Sequence, residues 1–259
     1  MLEIENLSFS YGKTPVLQNV DFRADFGDVV AVLGANGAGK STLFKCASGL
    51  LKNFSGNVKI NGQDVKKLPA AELAKIRAVL EQETRLAFES SVLDVVLLGR
   101  FAFESFSHTK KDGELARYSL ELARLGGFEN RAYFGLSGGE KRRVMFAKTL
   151  CQALGQDGSF KGKTIMLDEP AASLDPLAAR QILKAAKLAA ADGACVLAIL
   201  HDPNLAGEYS SKTILLGGGR LFAKGNTSEV LTAENLETAY SCPVKMPTLN
   251  GKKYAFFTD

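Results

Sequence analysis

The run DVVAVL, residues 28–33, leads directly into GANGAGKST, Gly34 to Thr42. Three glycines within this loop abandon both helix and strand propensity, each at an entropic cost on folding, so the loop has to be doing something a stiffer sequence could not. The spacing Gly34-x-x-x-x-Gly39-Lys40-Ser41 is that of a phosphate-binding loop. In such a loop amide N–H groups curl around a β-phosphate, the lysine reaches the terminal phosphates and the serine hydroxyl holds magnesium. The β-branched stretch Asp28 to Leu33 predicts a strand before the loop, and Ser41 to Leu50 predicts a helix after it, whose N-terminal dipole adds to the attraction. A glycine-rich turn with a surface lysine is the plain alternative; the strand–loop–helix context favours phosphate.

The rest of the chain is large enough to build a core around such a loop. It has 259 residues, 46% of them apolar, which allows one domain with a subdomain or two lobes. A formal net charge of +4 from 32 basic and 28 acidic residues is mild and gives no footprint for nucleic acid or an anionic membrane surface. Cys46, Cys151, Cys195 and Cys242 are far apart without a CxxC pair, and with two histidines the composition fits a reducing cytoplasm better than a metal cluster. MLEIENLSFS lacks the basic-then-apolar order of a signal peptide, and no window reaches the roughly 18 apolar residues a membrane helix requires. Any membrane role is therefore expected to run through a partner.

Alternating apolar and polar residues in LEIENLSFSY and PVLQNVDFRAD, followed by GNVKINGQDV around Asn61-Gly62, predict an N-terminal antiparallel β layer. Residues 83–152 read instead as a helical insertion. Leu115, Tyr118, Leu122 and Leu125 in GELARYSLELARL fall at helical spacing, as do Val144, Ala147 and Cys151 further on. TIMLD (Thr164 to Asp168) and CVLAILH (Cys195 to His201) are buried-strand candidates separated by a helix from Pro176 to Ala191. Continuous apolar strands alternating with helices indicate a mostly parallel sheet covered on both faces, so the fold class is α/β. Gly155 to Lys163 reads as a polar surface loop. A hairpin at Gly217 to Lys224, a helix near Ala233 to Tyr240 and a hairpin turning at Asn250-Gly251 complete the pattern.

TIMLDEP supplies what a phosphate loop lacks. A strand that ends in a carboxylate places Asp168 in a magnesium shell, and the adjacent Glu169 can orient or deprotonate an attacking water. Carboxylates often end strands, so the pairing with GANGAGKST is what gives this reading weight. LSGGE, Leu136 to Glu140, puts a glycine pair where a helix begins. Ser137 and Glu140 form a capping box, but two glycines in a first turn cost on the order of 1 kcal/mol each and leave bare N–H groups on a positive helix end, suited to an anion.

With these residues in view, the chain resembles the nucleotide-binding subunits of ATP-binding-cassette (ABC) transporters along essentially its whole length. GANGAGKST is similar to their Walker A loop, TIMLDE to Walker B with its catalytic glutamate, and LSGGE to the signature LSGGQ. Glu140 stands where glutamine is usual, followed by Lys141-Arg142; glutamate serves a capping box equally well. The resemblance implies a P-loop NTPase core over residues 1–259 as a single ABC ATPase domain, with a helical subdomain at about 83–152 that carries the signature. It implies that Gly34, Asn36, Gly37, Ala38, Gly39, Lys40, Ser41 and Thr42 bind nucleotide, and that Ser41, Gln82 and Asp168 hold Mg2+. Glu169, His201, Lys40 and Gln82 would serve catalysis, with His201 on the γ-phosphate, and Tyr11 in SFSYG would stack on adenine. Gln82 could alternatively be a solvated loop residue, and any edge-strand tyrosine would look like Tyr11. Ser173-Leu174-Asp175 is similar to the loop that crosses the dimer interface, while Asp175-Pro176 also reads as an N-cap with proline at the first helical position. His108, in a polar turn, reads as solvated.

The family resemblance further implies a head-to-tail homodimer in which Ser137, Gly138 and Gly139 of one copy close over ATP held by the other. IRAVLEQETRLAFESSVLDVVLLGR and LHDPNLAGEYSSKTILLGGGRL resemble the ATPases of bacterial importers for iron-siderophores, haem and vitamin B12, most of all the haemin branch. Integral membrane permease subunits, indirectly a substrate-binding protein, and a peripheral place on the cytoplasmic face of the bacterial inner membrane follow from that likeness; nucleic acid does not. A soluble ABC ATPase acting as an assembly factor, for instance in iron-sulphur cluster building, is the alternative. Phe88, Phe101, Phe103 and Phe106 mark the expected permease-docking region between Gln82 and Phe106; at least half are expected to pack internally.

Overall fold

The computed structural model describes residues 1–82, 89–103 and 109–258. Strands β1 (Leu2–Tyr11) and β2 (Thr14–Ala24) pair antiparallel. Strand β3 (Val29–Leu33) and helix α1 (Lys40–Ala47) flank the glycine loop. Strands β4 (Ser55–Ile60) and β5 (Gln63–Asp64) turn at Asn61-Gly62, whose φ angles of 53° and 76° are the paired positive values an Asn-Gly hairpin turn adopts. These four strands form the sheet β2-β1-β4-β5.

Helix α2 (Ala70–Ile76) leads into β6 (Arg77–Leu80), and α3 (Val92–Leu97), α4 (Lys110–Leu122) and α5 (Gly138–Ala153) build the helical insertion. The chain returns to the sheet with β7 (Thr164–Asp168), α6 (Pro176–Ala191), β8 (Cys195–Ile199), α7 (Pro203–Tyr209) and the hairpin β9 (Lys212–Gly217), β10 (Arg220–Asn226). Helices α8 (Thr227–Val230) and α9 (Ala233–Tyr240) precede two short ribbons. In these β11 (Val244–Lys245) pairs with β14 (Phe256–Phe257), and β12 (Thr248–Leu249) with β13 (Lys252–Lys253). The central sheet runs β10-β9-β3-β8-β7-β6, parallel except for the β9–β10 hairpin.

Strand periodicity divides the central strands between two cores. Val29, Ala31 and Leu33 join Val196, Ala198, Ile165 and Leu167 in the core shared with α5 and α6, whereas Val30, Val32, Leu197, Ile199 and Met166 face the core shared with α1 and the antiparallel sheet. Successive residues point to opposite faces, so a strand buried on both sides has no polar positions; β3 and β8 are apolar throughout. The expected α/β class, parallel sheet, antiparallel layer and helical insertion are all present.

Two boundaries and one buried face differ from expectation. Helix α1 starts one residue earlier, at Lys40, and stops at Ala47, because Gly49 at φ 73° ends it in a left-handed turn whose N–H bonds Cys46 O. In α4 the buried side is Asp112, Leu115, Ala116, Ser119 and Leu120, while Tyr118 is exposed. At 100° per residue Tyr118 lies on the opposite side from the centre of that stripe, and small Ala116 and Ser119 are what allow α4 to approach its neighbours. Strand β8 ends at Ile199, so His201 stands two residues beyond it.

The buried side of α4 holds an ion pair. Arg100 is fully buried; its Nε donates to Asp112 Oδ1 at 2.8 Å and its Nη1 to the carbonyls of Cys151 and Leu154. Asp112 Oδ2 accepts from the backbone N–H and hydroxyl of Thr109, closing the α4 capping box. One pair therefore ties the start of α4 to the end of α5. Removing one partner of a buried pair strands the other, at a cost of about 3–5 kcal/mol. Asp112→Ala is expected to lower the calorimetric melting midpoint by roughly 10 °C; an unchanged midpoint would count against the tie.

All four cysteines are free thiols. Burial pushes Cys46 and Cys151 up to about 12, so both stay protonated. Among the described residues no helix is long and apolar enough to cross a membrane.

Candidate functional site

The carboxyl ends of four parallel strands are level. Leu80 pairs with Leu167, Asp168 with Ile199 and Ile199 with Val32. Open α/β sheets bind ligands just beyond this edge, and the segments leaving it carry Gln82, Asp168, Glu169, His201 and the glycine loop.

The loop is shaped by its glycines. Gly34 has φ 145°, and a Cβ there would lie 2.2 Å from the Leu216 carbonyl oxygen; at Gly39, φ 100°, a Cβ would sit 3.0 Å from Val16 O. The backbone is thus wedged between β9 and the start of β2. Asn36 and Gly37 are exposed, Ala38 and Thr42 buried, and Ser41 half-buried. Lys40 is 6% exposed and donates from Nζ to the carbonyls of Gly34 at 2.7 Å and Ala35 at 2.9 Å. Burial lowers its pKa, opposed by the nearby carboxylates of Glu169 and Asp168. Helices α3, α4 and α5 each begin with a capping box, but α1 has no side-chain cap and no acid in its first turn. A buried cation beside an uncapped, positive helix end fits a phosphate.

Ser41, Gln82 and Asp168 line one cavity of about 280 Å³, together with Phe44, Lys45, Leu50 and Glu81. Parity explains why Asp168 reaches it: Asp168 shares the α1-facing side of β7 with Met166. It is 5% exposed, and its Oδ1 has no hydrogen-bond partner. Burial, with the charge of Glu169 adding, pushes its pKa up to about 6. A desolvated carboxylate with an open oxygen, in a cavity also lined by a serine and a glutamine, fits a hard divalent cation.

Glu169 adopts φ 50°, a left-handed conformation that costs a non-glycine residue roughly 1–2 kcal/mol. That twist turns its side chain away from the strand register and toward its neighbours. Gln82 Nε2 donates to Oε2 at 3.2 Å, and His201 Nε2 lies 2.7 Å from Oε1. The sequence reading joined Gln82 to magnesium; in the structure it lines that cavity while its amide N–H holds Glu169. His201 is exposed, so it is not a core histidine.

Other candidates lie further out. Ser137 caps α5, its hydroxyl accepting from Glu140 N–H, and Ser137 and Gly138 are exposed; none of Ser137's hydrogen bonds reaches the glycine loop or Asp168. A Cβ on Gly139 would lie 3.4 Å from Leu174 Cδ2, which seats the α5 tip beside the Ser173-Leu174-Asp175 loop. Asp175 caps α6 with Pro176 at the first helical position. Tyr11 is 51% exposed and stands edge-on to Phe9, paired with Thr14 at the end of the β1–β2 ribbon nearest Val16 and the loop. Phe103 packs beneath the Arg100 guanidinium at 4.4 Å, whereas Phe101 is 65% exposed; Phe88, Phe106 and His108 lie outside the described residues.

Arg142, which follows the signature in Lys141-Arg142, is a site residue that the sequence does not mark. Its Nη1 donates to Glu81 O and Gln82 O, both at 2.7 Å, and its Nη2 to Asp168 O at 2.5 Å and Glu169 O at 2.9 Å. The only local sign was a basic run at a helix start, which ordinarily means solvated charge; backbone carbonyls as partners leave no sequence trace.

Comparison with known proteins gives a consistent result. The ABC transporter family model matches residues 17–172. The Hemin import ATP-binding protein HmuV of Bartonella henselae is 39% identical over 96% of this chain and 93% of its own length. Among solved structures, a chain from an inward-facing ABC transporter assigned to the metal-chelate type has a TM-score of 0.80 at 26% identity, covering 99% of this chain and 96% of its own. A dimeric bacterial ABC transporter cassette, MJ0796, has a TM-score of 0.74 at 26% identity, covering 88% of this chain and 99% of its own. With its phosphate-loop geometry, level strand ends and a family match across most of its length, the chain belongs to the ABC transporter family, as an ATP-binding cassette ATPase.

Proposed function

We propose that this chain is the ATP-hydrolysing subunit of a bacterial haem or iron-siderophore importer, acting through a separate membrane permease. The observation that carries the ATPase part is the convergence of Lys40, Gln82, Asp168, Glu169 and His201 on one sheet edge, with Ser41, Gln82 and Asp168 on a single cavity. The cargo reading is supported by the likeness to HmuV and to the metal-chelate type transporter.

In this reading the amides of residues 37–42 take the phosphates, and Lys40 exchanges the carbonyls of Gly34 and Ala35 for terminal phosphate oxygens. Ser41, Asp168 and Gln82 would hold Mg2+, which when bound supplies neutralisation of charge on the phosphates. Glu169 accepts the proton of the attacking water once one of its two present partners lets go. His201 is placed for the γ-phosphate and Tyr11 for the adenine ring. Residues 1–259 act as one ATPase domain, with about 83–152 as the helical subdomain.

Two copies pair head to tail, so that Ser137, Gly138 and Gly139 of one cover ATP held by the other. The exposed tip of α5 and the dimeric relative support that arrangement. The permease docks near exposed Phe101, a substrate-binding protein delivers the cargo on the other side, and the subunit works at the cytoplasmic face of the inner membrane. Nucleic acid has no part.

Reconstitution with the permease tests the reading. ATPase activity is expected to rise several-fold when a haem-loaded binding protein is added, with other chelates giving less. Stable complexes free of any membrane protein would instead indicate an assembly factor.

A further inference from the structure

Arg142 sits on α5, two residues beyond the capping box, yet its side chain reaches away from the helix to the sheet edge. Each of its two terminal nitrogens bridges two consecutive carbonyls. Nη1 takes Glu81 and Gln82, just past β6; Nη2 takes Asp168 and Glu169, at and just past β7. The flat fork of a guanidinium has the donors and the spacing to do this, and an ammonium does not. The four carbonyls belong to the residues that carry the chemistry or precede them directly. Gln82 and Glu169 are also joined side chain to side chain, 87 residues apart in sequence. Two of the four bonds brace the turn in which Glu169 holds its left-handed φ of 50°, a conformation that relaxes unless its surroundings over-determine it.

We propose that Arg142 is a positioning residue for ATP hydrolysis, fixing the backbone on which Gln82 and Glu169 stand so that the Glu169 carboxylate is aimed at the attacking water. The proposal rests on the ATPase reading above and deepens it. Its four bonds all go to backbone carbonyls, so Arg142 acts through the residues that carry them, Glu169 above all. Its loss leaves the glycine loop and Lys40 untouched, so ground-state binding stays while the aim of the base is lost.

The test is a kinetic cycle on the full chain with Mg-ATP. Arg142→Gln is expected to lower kcat about 10- to 100-fold, the scale of a misaimed group, with the KM and Kd for ATP changed by less than about threefold. Retained ATP affinity also shows that the variant is folded. Arg142→Lys keeps the charge but loses the fork and is expected to fall between the two. In a Glu169→Gln background, single-turnover phosphate release is expected to be insensitive to Arg142→Gln, because a residue acting through the base has nothing left to act on. A wild-type kcat in both Arg142 variants overturns the proposal, as does the same fold loss with and without Glu169, which would mark a merely structural strut. If Glu169→Gln alone turns over normally, the ATPase assignment of Glu169 fails first and this proposal falls with it; slow Glu169→Gln with normal Arg142→Gln sinks this proposal alone.

Discussion

Glu169→Gln is expected to bind ATP as the native chain does and to turn over about 10²- to 10⁴-fold more slowly, the range contributed by a positioned general base. The substitution keeps shape and hydrogen-bonding reach, so His201 still finds an oxygen acceptor, but the amide has no basic lone pair for the water's proton. Binding is unaffected because Lys40, the loop amides and the α1 N-terminus lie on a different strand connection from Glu169. Blocked hydrolysis should also accumulate a nucleotide-bridged dimer, visible by size-exclusion chromatography with Mg-ATP. Native turnover in this variant would remove Glu169 as the base, and a persistent monomer would remove the head-to-tail arrangement.

Lys40→Ala is expected to fail earlier, at binding. Its ammonium lies in a pocket where burial already lowers its pKa, held by two carbonyls of its own loop. Exchanging those neutral acceptors for anionic phosphate oxygens makes charge-assisted bonds worth about 1.5–3 kcal/mol, so their loss weakens ATP binding about 10- to 100-fold. The same charge acts in the transition state, so kcat falls as well. Titration of a fluorescent ATP analogue measures the first effect; unchanged affinity would exclude Lys40 from the phosphate site. The two variants differ in kind: one loses the reaction and keeps the ligand, the other loses the ligand.

Much of this site was legible in contiguous residues. A glycine loop after a doubly buried strand, a strand ending in Asp-Glu, a Ser-x-x-Glu box and an Asp-Pro cap each express a short-range rule, and α6 runs from Pro176 to Ala191 as its cap predicts. Tyr118 shows where short-range rules end. It lies at helical spacing with Leu115 and Leu122, yet α4 also packs through Ala116 and Ser119, because the neighbouring helices α3 and α5, and not spacing, choose the side to be buried. Arg142 shows the same for polar groups: its sequence neighbours mark it as solvated, and only the approach of β6 and β7 offers it four carbonyls.

By itself the sequence determined the chemistry on offer: a loop that closes on phosphate, carboxylates ending a strand, a bare helix tip, and the α/β alternation that brings strand ends to one edge. Tertiary structure alone decided how those groups meet. Gln82 and His201 converge on Glu169, Asp168 is left with an open oxygen inside a cavity, and one guanidinium joins two strand ends. The physical reason is range. Backbone conformation and capping are set within about one helical turn, whereas hydrogen bonds between groups many residues apart exist only after hydrophobic burial has aligned the strands that carry them.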